Sequence, residues 1–452
     1  MKTFKEYQPG QALLFPVDLN EWLPKNHPTH FVNEVVGRLD LSGIYRSYDE
    51  LRGGPPYDPR MMVRVWVYAL MKGVRSSRKI ERALYEDVGF RFLSANQQPD
   101  HWTISEFRKR HHKALGGLFE QTVRMAAEAG LVKMGQVAID GTKIKANASK
   151  HSAMSYAYMK KEEERLREEI EGMLREAEET DRLEDEEYGE DSGWSLPPEL
   201  STPEKRLEAI KKAEAELERE ARERFEREQA ERRKEAESKG KTFKPAKDPE
   251  TAKPRPRDQR NFTDPDSRIM VSGDKAFIQG YNAQAAVDAE TRIIVAADLG
   301  NQANDSTYLS GQVEQVVRNT GRRPKEVSAD AGYYSDPNVG FLEDKKIQAL
   351  IPPEKVKHSE WRMQQPIRGR IPKNSSRKYL MRRKLRTKRG RARYKLRQES
   401  VEPVFGFIKE GLGLRQFLLR GLEKVRSMWK LTCAAHNLWK MYRAGVNFSP
   451  AR

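Results

Sequence analysis

Apolar residues recur every three or four positions in the first part of the chain, which predicts helices there. Met62, Val65, Trp66, Ala69 and Leu70 make one apolar face, and Pro59 sits near its start. A second helix follows with Ile80, Leu84 and Val88. In the stretch WTISEFRKRHH, Trp102 to His112, Thr103 is the expected N-cap with Glu106 three residues on. Arg108, Lys109 and Arg110 are expected on its exposed side. Paired short helices with a basic last member fit a helix-turn-helix; a helical bundle with a solvated charged face fits as well.

Further on, the pattern changes to short apolar runs. Val137, Ala138 and Ile139 lead into Asp140 and Gly141, which predicts a buried strand that stops at a turn. Residues 275–289 (KAFIQGYNAQAAVDA) and 292–299 (RIIVAADL) predict two more strands, joined at Asp288 to Thr291. Val327 to Asp330 is a fourth strand and Gln348 to Pro352 a last one. Asp305 to Val317 and Asp336 to Asp344 read as helices. Pro403 sets the first turn of a helix through Phe405, Ile408 and Leu412, and Val425 to Tyr442 is an apolar helix expected to pack on the sheet. His436 and Asn437 on it read as a buried, satisfied pair.

The strands are interrupted by residues 153–261, rich in Glu, Arg, Lys and Ala. Met159, Leu166, Ile170 and Met173 form one stripe, and Leu207, Ile210, Ala213 and Leu217 another. Between them lie Pro197, Pro198 and a capping signature at Ser201 and Glu204. An inserted antiparallel helical hairpin follows, with a Lys/Pro-rich tail, Ser238 to Asn261, expected to be flexible. The hairpin is largely acidic. It would serve self-association, or simply act as a solvated spacer.

With 452 residues the chain has room for two or three domains, and 33% charged residues make it polar. No apolar run approaches the roughly 20 residues that cross a bilayer. The opening MKTFKEYQPG has no apolar signal region, so the expectation is a cytoplasmic, nucleoid-associated protein without membrane contact. The single cysteine, Cys433, excludes an intramolecular disulfide framework and a cysteine-rich zinc site, and reads as a small core residue. A net charge of +17 points to a polyanion, most commonly nucleic acid. From Arg368 to Arg397 there are fifteen Lys or Arg and no Asp or Glu. Such a run is expected to be disordered alone, and beside phosphates it would release counterions.

Asp140 and Asp330 each end an apolar run and precede small residues. The carboxyl end of a strand is a common place for catalytic groups; the plain alternative is a residue that starts a turn. The stretch YKLRQESVEPVFGFIK, Tyr394 to Lys409, adds a glutamate on a helix. Three carboxylates brought together by folding would suit a pair of hard divalent cations clamping a phosphoryl transfer. At a helix N-terminus, Glu402 would equally be stabilised by the helix dipole. Lys143 and Lys145 would touch phosphate, or be exposed turn lysines.

At these residues the chain resembles the DDE transposases of bacterial insertion sequences, in the group whose third motif reads Tyr, Arg, Glu, Lys. Those positions are Tyr394, Arg397, Glu402 and Lys409. Four residues separate Arg397 from Glu402, where the commoner pattern has three. Glu399 is the rival glutamate, but it loses the spacing to Lys409. The resemblance spans Tyr7 to about Tyr442.

It implies a mixed α+β protein. The helical N-terminal domain (1–128) would bind the element's ends. An RNase H-like catalytic core would comprise 129–152 and 262–445, with the hairpin (153–261) inserted and a basic DNA-contacting segment at 357–397. The predicted order of strands and helices matches that fold, in which the ends of the first and fourth strands are adjacent. Asp140 and Asp330 would bridge two Mg2+ ions, with Mn2+ a substitute, and Glu402 would complete one site. Tyr394, Arg397 and Lys409 would position phosphate, joined by Lys143, Lys145, Arg382, Arg383, Lys384, Arg386 and Arg389. The implied activity is cleavage at insertion-sequence ends and strand transfer into target DNA. The implied partners are double-stranded DNA and further copies of the chain, in a homodimer or higher synaptic multimer. A metal-dependent nuclease of the same fold is the rival reading, followed by a non-catalytic DNA-binding relic and a basic scaffold protein.

Overall fold

A computed structural model describes residues 18–48, 55–149, 153–180, 203–238, 243, 252–256, 258–273, 275–355 and 365–448. Two compact units contain them. One takes Met1–Ile144, Asn282–Leu418 and Leu422–Arg452; the other takes Lys145–Tyr281 and Leu419–Gly421.

The first unit opens with helices α1 (Leu19–Trp22), α2 (Pro28–Arg38), α3 (Ser42–Tyr45), α4 (Pro59–Met71), α5 (Ser77–Glu86), α6 (Val88–Leu93), α7 (His101–Arg110) and α8 (His112–Glu128). The expected α4 stripe is buried, with Pro59 at its N-terminus and the Asp58 side chain capping it. Three expectations here are corrected. Val88 starts its own helix, because the Asp87 carboxylate accepts from Gly89 N and Phe90 N and so caps a new N-terminus. Asp100, not Thr103, caps α7, accepting from Thr103 N at 2.7 Å. Arg108 is buried rather than exposed; its guanidinium lies 4.8 Å above the Trp66 ring.

In chain order the strands are β1 (Gln136–Lys145), β2 (Ala153–Ser155), β3 (Gln259–Asn261), β4 (Arg268–Val271), β5 (Phe277–Asp288), β6 (Ile294–Gly300), β7 (Glu326–Ala329) and β8 (Gln348–Leu350). β6 pairs with β5, and the order then runs β5–β1–β7–β8. β5 and β6 are antiparallel; β1, β7 and β8 are mutually parallel where they pair. The sheet is therefore mixed. β1 does not stop at Asp140 as expected but continues to Lys145. What ends there is its pairing with β7, whose last partners are Ile139 and Ala329.

The turn between β5 and β6 is held by Asp288, which is 1% exposed. Its carboxylate accepts from the backbone of Lys133, Met134, Glu290 and Thr291. Removing it orphans buried amides on two segments at once. Asp288→Ala should cost about 3 kcal/mol, the upper end for hydrogen bonds to a charged group. Urea denaturation at neutral pH reads this, and a loss below about 1 kcal/mol would show that those amides find other partners.

After β6 come a 3₁₀ turn (Ser306–Tyr308), α11 (Leu309–Thr320) and, beyond β7, α12 (Asp336–Asp344). The two helices of the second unit are α9 (Tyr156–Thr180) and α10 (Pro203–Ser238). The first unit closes with α13 (Arg377–Arg386), α14 (Lys388–Gly406), a π-helical turn (Phe407–Gly411) and α15 (Leu422–Arg443). α15 packs on α8 and β6. Cys433 is buried on it as expected. Asn437 pairs through its side-chain amide with both backbone groups of Ile294, at 2.9 and 2.8 Å. His436 Nε2 lies 3.0 Å from Arg292 O, while its buried Nδ1 has no partner, so that half of the pair is only partly satisfied.

The basic run is helical, not disordered, over Arg377–Arg386 and onward from Lys388. Lys and Arg are good helix formers, and the acids that offset them come from elsewhere in the chain. Arg377 pairs with Glu343, Lys378 and Arg382 with Glu354, and Arg393 with Glu326. α14 also begins fourteen residues before Glu402 and carries Pro403 in its interior. Glu402 is thus not at a helix N-terminus, and the dipole account of it falls.

In the second unit, α9 and α10 pack as the expected antiparallel hairpin. Tyr156 bonds Glu218 at 2.8 Å and Lys160 bonds Glu214 at 2.7 Å, so the partners run in opposite directions. Met159, Leu166, Ile210, Ala213 and Leu217 form its core. The tail is not flexible throughout, since Gln259–Asn261 is β3, paired antiparallel with β2. β4 pairs with the first residues of β5. The Met173 side chain, Pro197, Pro198, Ser201 and most of 239–251 lie outside the described residues.

Candidate active site

The parallel register of β1 and β7 decides the site. Since Ile139 pairs with Ala329, Asp140 and Asp330 follow at the same level on neighbouring strands. Each carboxylate is held by the amide of a nearby glycine. Asp140 Oδ1 accepts from Gly141 N at 2.8 Å, and Asp330 Oδ1 accepts from Gly332 N at 2.9 Å. The second bond closes the 3₁₀ turn Ala331–Tyr333.

α14 brings a cation to this pair. It is tied to the sheet through Gln136, whose amide donates to Arg393 O at 2.9 Å and to Ser328 Oγ at 3.0 Å. One turn on, Arg397 Nη1 donates to Asp140 Oδ2 at 2.7 Å. The Arg397 guanidinium sits 5.7 Å from the centre of the Tyr394 ring. Burial pushes the Asp140 carboxyl up to about 6; Arg397 opposes this, while the charges of Asp330 and Asp305 add to it.

Asp305 is the acid that sequence reading missed, having been placed only at the start of a helix. Its Oδ1 accepts from Lys143 Nζ at 3.0 Å, Asn282 Nδ2 at 2.7 Å and Gln284 Nε2 at 3.0 Å. Asn282 and Gln284 are fully buried in β5, and Gln284 Oε1 accepts from the buried Tyr333 hydroxyl. Burial and the three aspartates raise the Tyr333 hydroxyl well above its usual range, so it remains a donor. The available signal was the amide side chains of Asn282 and Gln284 in a strand that is buried nearly throughout.

Glu402 does not join the pair. Its side chain is exposed on α14. Five residues after Arg397, it lies about 140° further round a helix of 3.6 residues per turn. Among the described residues, no group of three His, Cys, Asp or Glu side chains stands close enough together to hold a metal ion.

The other expected contacts divide. Lys143 is held by Asp305 and by Ala303 O, and so is not an exposed turn lysine. Lys145 is exposed. Arg382 is paired with Glu354, Arg383 donates to Gly369 O, and Lys384 donates to Ala349 O at 3.0 Å. Arg386 is half-buried and Arg389 exposed. Lys409 is half-buried in the π-helical turn.

Residues 257–438 match the family described as a transposase DDE domain, and residues 17–110 match a second, described as transposase domain DUF772. The chain is a DDE transposase of insertion-sequence type. The first match contains Asp305, Asp330, Arg397 and Glu402 of this transposase; Asp140 falls between the two matches. No curated protein and no solved structure matches it significantly. Among its described residues, no helix is long and apolar enough to cross a membrane.

Proposed function

We propose that this transposase cuts double-stranded DNA at the ends of its own element and joins them to a target, using Asp140 and Asp330 with divalent metal. The observation that carries this reading is the parallel pairing of β1 with β7, which sets two carboxylates side by side beside an arginine. The strand order β6–β5–β1–β7–β8 supports an RNase H-like core.

The donor set fits hard divalent cations, Mg2+ or Mn2+. It is all oxygen: Asp140 and Asp330 stand side by side, and Asp305, close by, is paired with Lys143. Burial raises the Asp140 carboxyl, and Asp330 and Asp305 add to the rise against the pull of Arg397. Asp140 and Asp330 would hold the metal, and Glu402, nominated by the spacing to Lys409, would complete the site by turning in from its exposed place on α14. Bound there, metal supplies activation of the attacking oxygen and charge neutralisation at the leaving one. Arg397 and Tyr394 orient the scissile phosphate, Arg397 releasing Asp140 to do so. Exposed cations such as Arg389 and Lys145 add backbone contacts. The N-terminal helices recognise the element's ends, and two or more copies bring those ends together.

The test is cleavage and joining of a duplex carrying the element's end, with Mg2+, for wild type, Asp330→Ala and Glu402→Ala. Both variants should bind the duplex and cut at least about a thousandfold more slowly, a loss of roughly 4 kcal/mol of transition-state stabilisation. Normal cutting by Glu402→Ala would leave Glu399 as the third ligand. Cutting by wild type without joined products would favour a nuclease.

A further inference from the structure

Behind the two aspartates lies a polar network that the proposed chemistry does not use. Asn282 and Gln284 project from β5, Asp305 comes from the segment after β6, and Tyr333 ends the turn that follows Asp330. Gln284 uses both ends of its amide. Nε2 donates to Asp305 Oδ1 and to Asn282 Oδ1 at 2.9 Å, and Oε1 accepts from Tyr333. The Asp305 charge fixes that orientation, because a flipped amide would set its oxygen against the carboxylate. Gln284 is therefore held with its acceptor toward Tyr333, and Tyr333 anchors the turn whose Gly332 amide grips Asp330.

The same network backs the other carboxylate. A Cβ at Gly141 would clash with the Gln284 amide nitrogen and lie 3.1 Å from Asp305 Oδ1. A Cβ at Gly332 would lie 3.0 Å from Asp330 Oδ1 and 3.6 Å from Asp305 Oδ2. Both glycines whose amides hold the carboxylates thus lie beside Asp305; a side chain at 141 would clash, and one at 332 would press on the Asp330 carboxylate. Hydrogen-bonded networks of this kind fix geometry more than they add stability.

We propose that Asp305, acting through Gln284 and Tyr333, is a positioning residue that sets the separation of Asp140 and Asp330. This rests on the reading of those two aspartates as the metal-holding pair. The network has one hub, so breaking it at Asp305 or at Tyr333 loosens the same turn.

The experiment uses the full-length transposase as wild type, Asp305→Asn, Tyr333→Phe and the double variant, with Asp140→Ala as reference. Mn2+ affinity is measured from the electron paramagnetic resonance signal of free Mn2+. Hydrogen exchange of peptides covering Gly141 and Gly332 is followed without metal, and single-turnover cleavage with it. Duplex affinity should be unchanged. Mn2+ affinity and cleavage should each fall roughly 10- to 100-fold in the single variants, the usual effect of removing an outer partner. Both peptides should exchange faster, and the double variant should lose no more than the worse single, as members of one network do. If Asp305→Asn fails to fold, Tyr333→Phe, which removes only a hydroxyl, decides the matter. Wild-type Mn2+ affinity and exchange in the folded variants overturn the proposal. So does loss of Mn2+ binding in Asp305→Asn as complete as in Asp140→Ala, since Asp305 would then be a ligand itself. Normal cleavage by Asp140→Ala would instead sink the underlying reading of the pair.

Discussion

Asp140→Asn should bind duplex DNA as wild type does, fail to cut it, and gain stability relative to wild type as the pH rises. The loss of cutting follows from the ligand role: an amide oxygen is a poor substitute for a carboxylate on a hard cation. The stability change follows from the carboxyl itself. Its pKa in the folded protein is about 6, against 3.8 in the absence of the fold. The folded state holds the proton more tightly than the unfolded one. The stabilisation this provides is therefore complete below about pH 4 and is lost as pH climbs through 6. Two units correspond to about 3 kcal/mol. Asparagine does not titrate; its single oxygen can keep Gly141 N or Arg397 but not both, a loss that does not vary with pH. Between pH 4 and pH 7.5 the difference between variant and wild type should move by about 3 kcal/mol in favour of the variant. Urea denaturation of both proteins with chelator present measures it, and groups remote from Asp140 cancel in the comparison. Parallel pH profiles would show that Asp140 is an ordinary surface carboxylate and not the charged centre of a buried site.

Trp429→Ala should destabilise the unit that holds the sheet by about 4 kcal/mol, within the range for emptying a large aromatic site. Trp429 is fully buried on α15. Its indole N–H donates to Gln284 O at 3.0 Å, and its ring stacks on Phe405 at 6.3 Å between centroids. One side chain thus fastens α15 to β5, which carries Gln284, and to α14, which carries Arg397. A loss of this size is a third or more of a typical domain's stability. Trp429→Phe keeps most of the packing and gives up the hydrogen bond, so it should cost about 1 to 2 kcal/mol. The midpoint of the corresponding urea transition reads both. If alanine cost less than phenylalanine, the cavity account would be wrong and the indole contact would be the source of strain.

Much of the fold is legible from the chain because its signals are local. The runs before Asp140 and Asp330 are short, apolar and flanked by small residues, and both formed parallel strands. The hairpin stripes at Met159, Leu166, Ile210 and Leu217 became a packed core because their spacing fixes the buried face before any partner is chosen. Other features are decided at a distance. The run from Arg368 to Arg397 contains no acid, yet its described helices are offset by Glu326, Glu343 and Glu354, which only folding brings near. Arg108 looked solvated until Trp66 covered it. Capping also misled where a stronger acceptor stood nearby, as Asp100 did beside Thr103.

The sequence by itself determined the family, the order of the strands β1, β5, β6, β7 and β8, and the place of the two aspartates after two apolar runs, since apolar periodicity and motif spacing are properties of neighbouring residues. Only the tertiary structure decided which side chains share the site. Asp305, Asn282 and Gln284 reach the Gly141 segment from some 140 to 160 residues further along the chain, and the turn of α14 that points Arg397 at Asp140 leaves Glu402 exposed. Polar side chains in a core have no period to announce them. Their roles exist only once burial removes water and leaves each donor to find an acceptor.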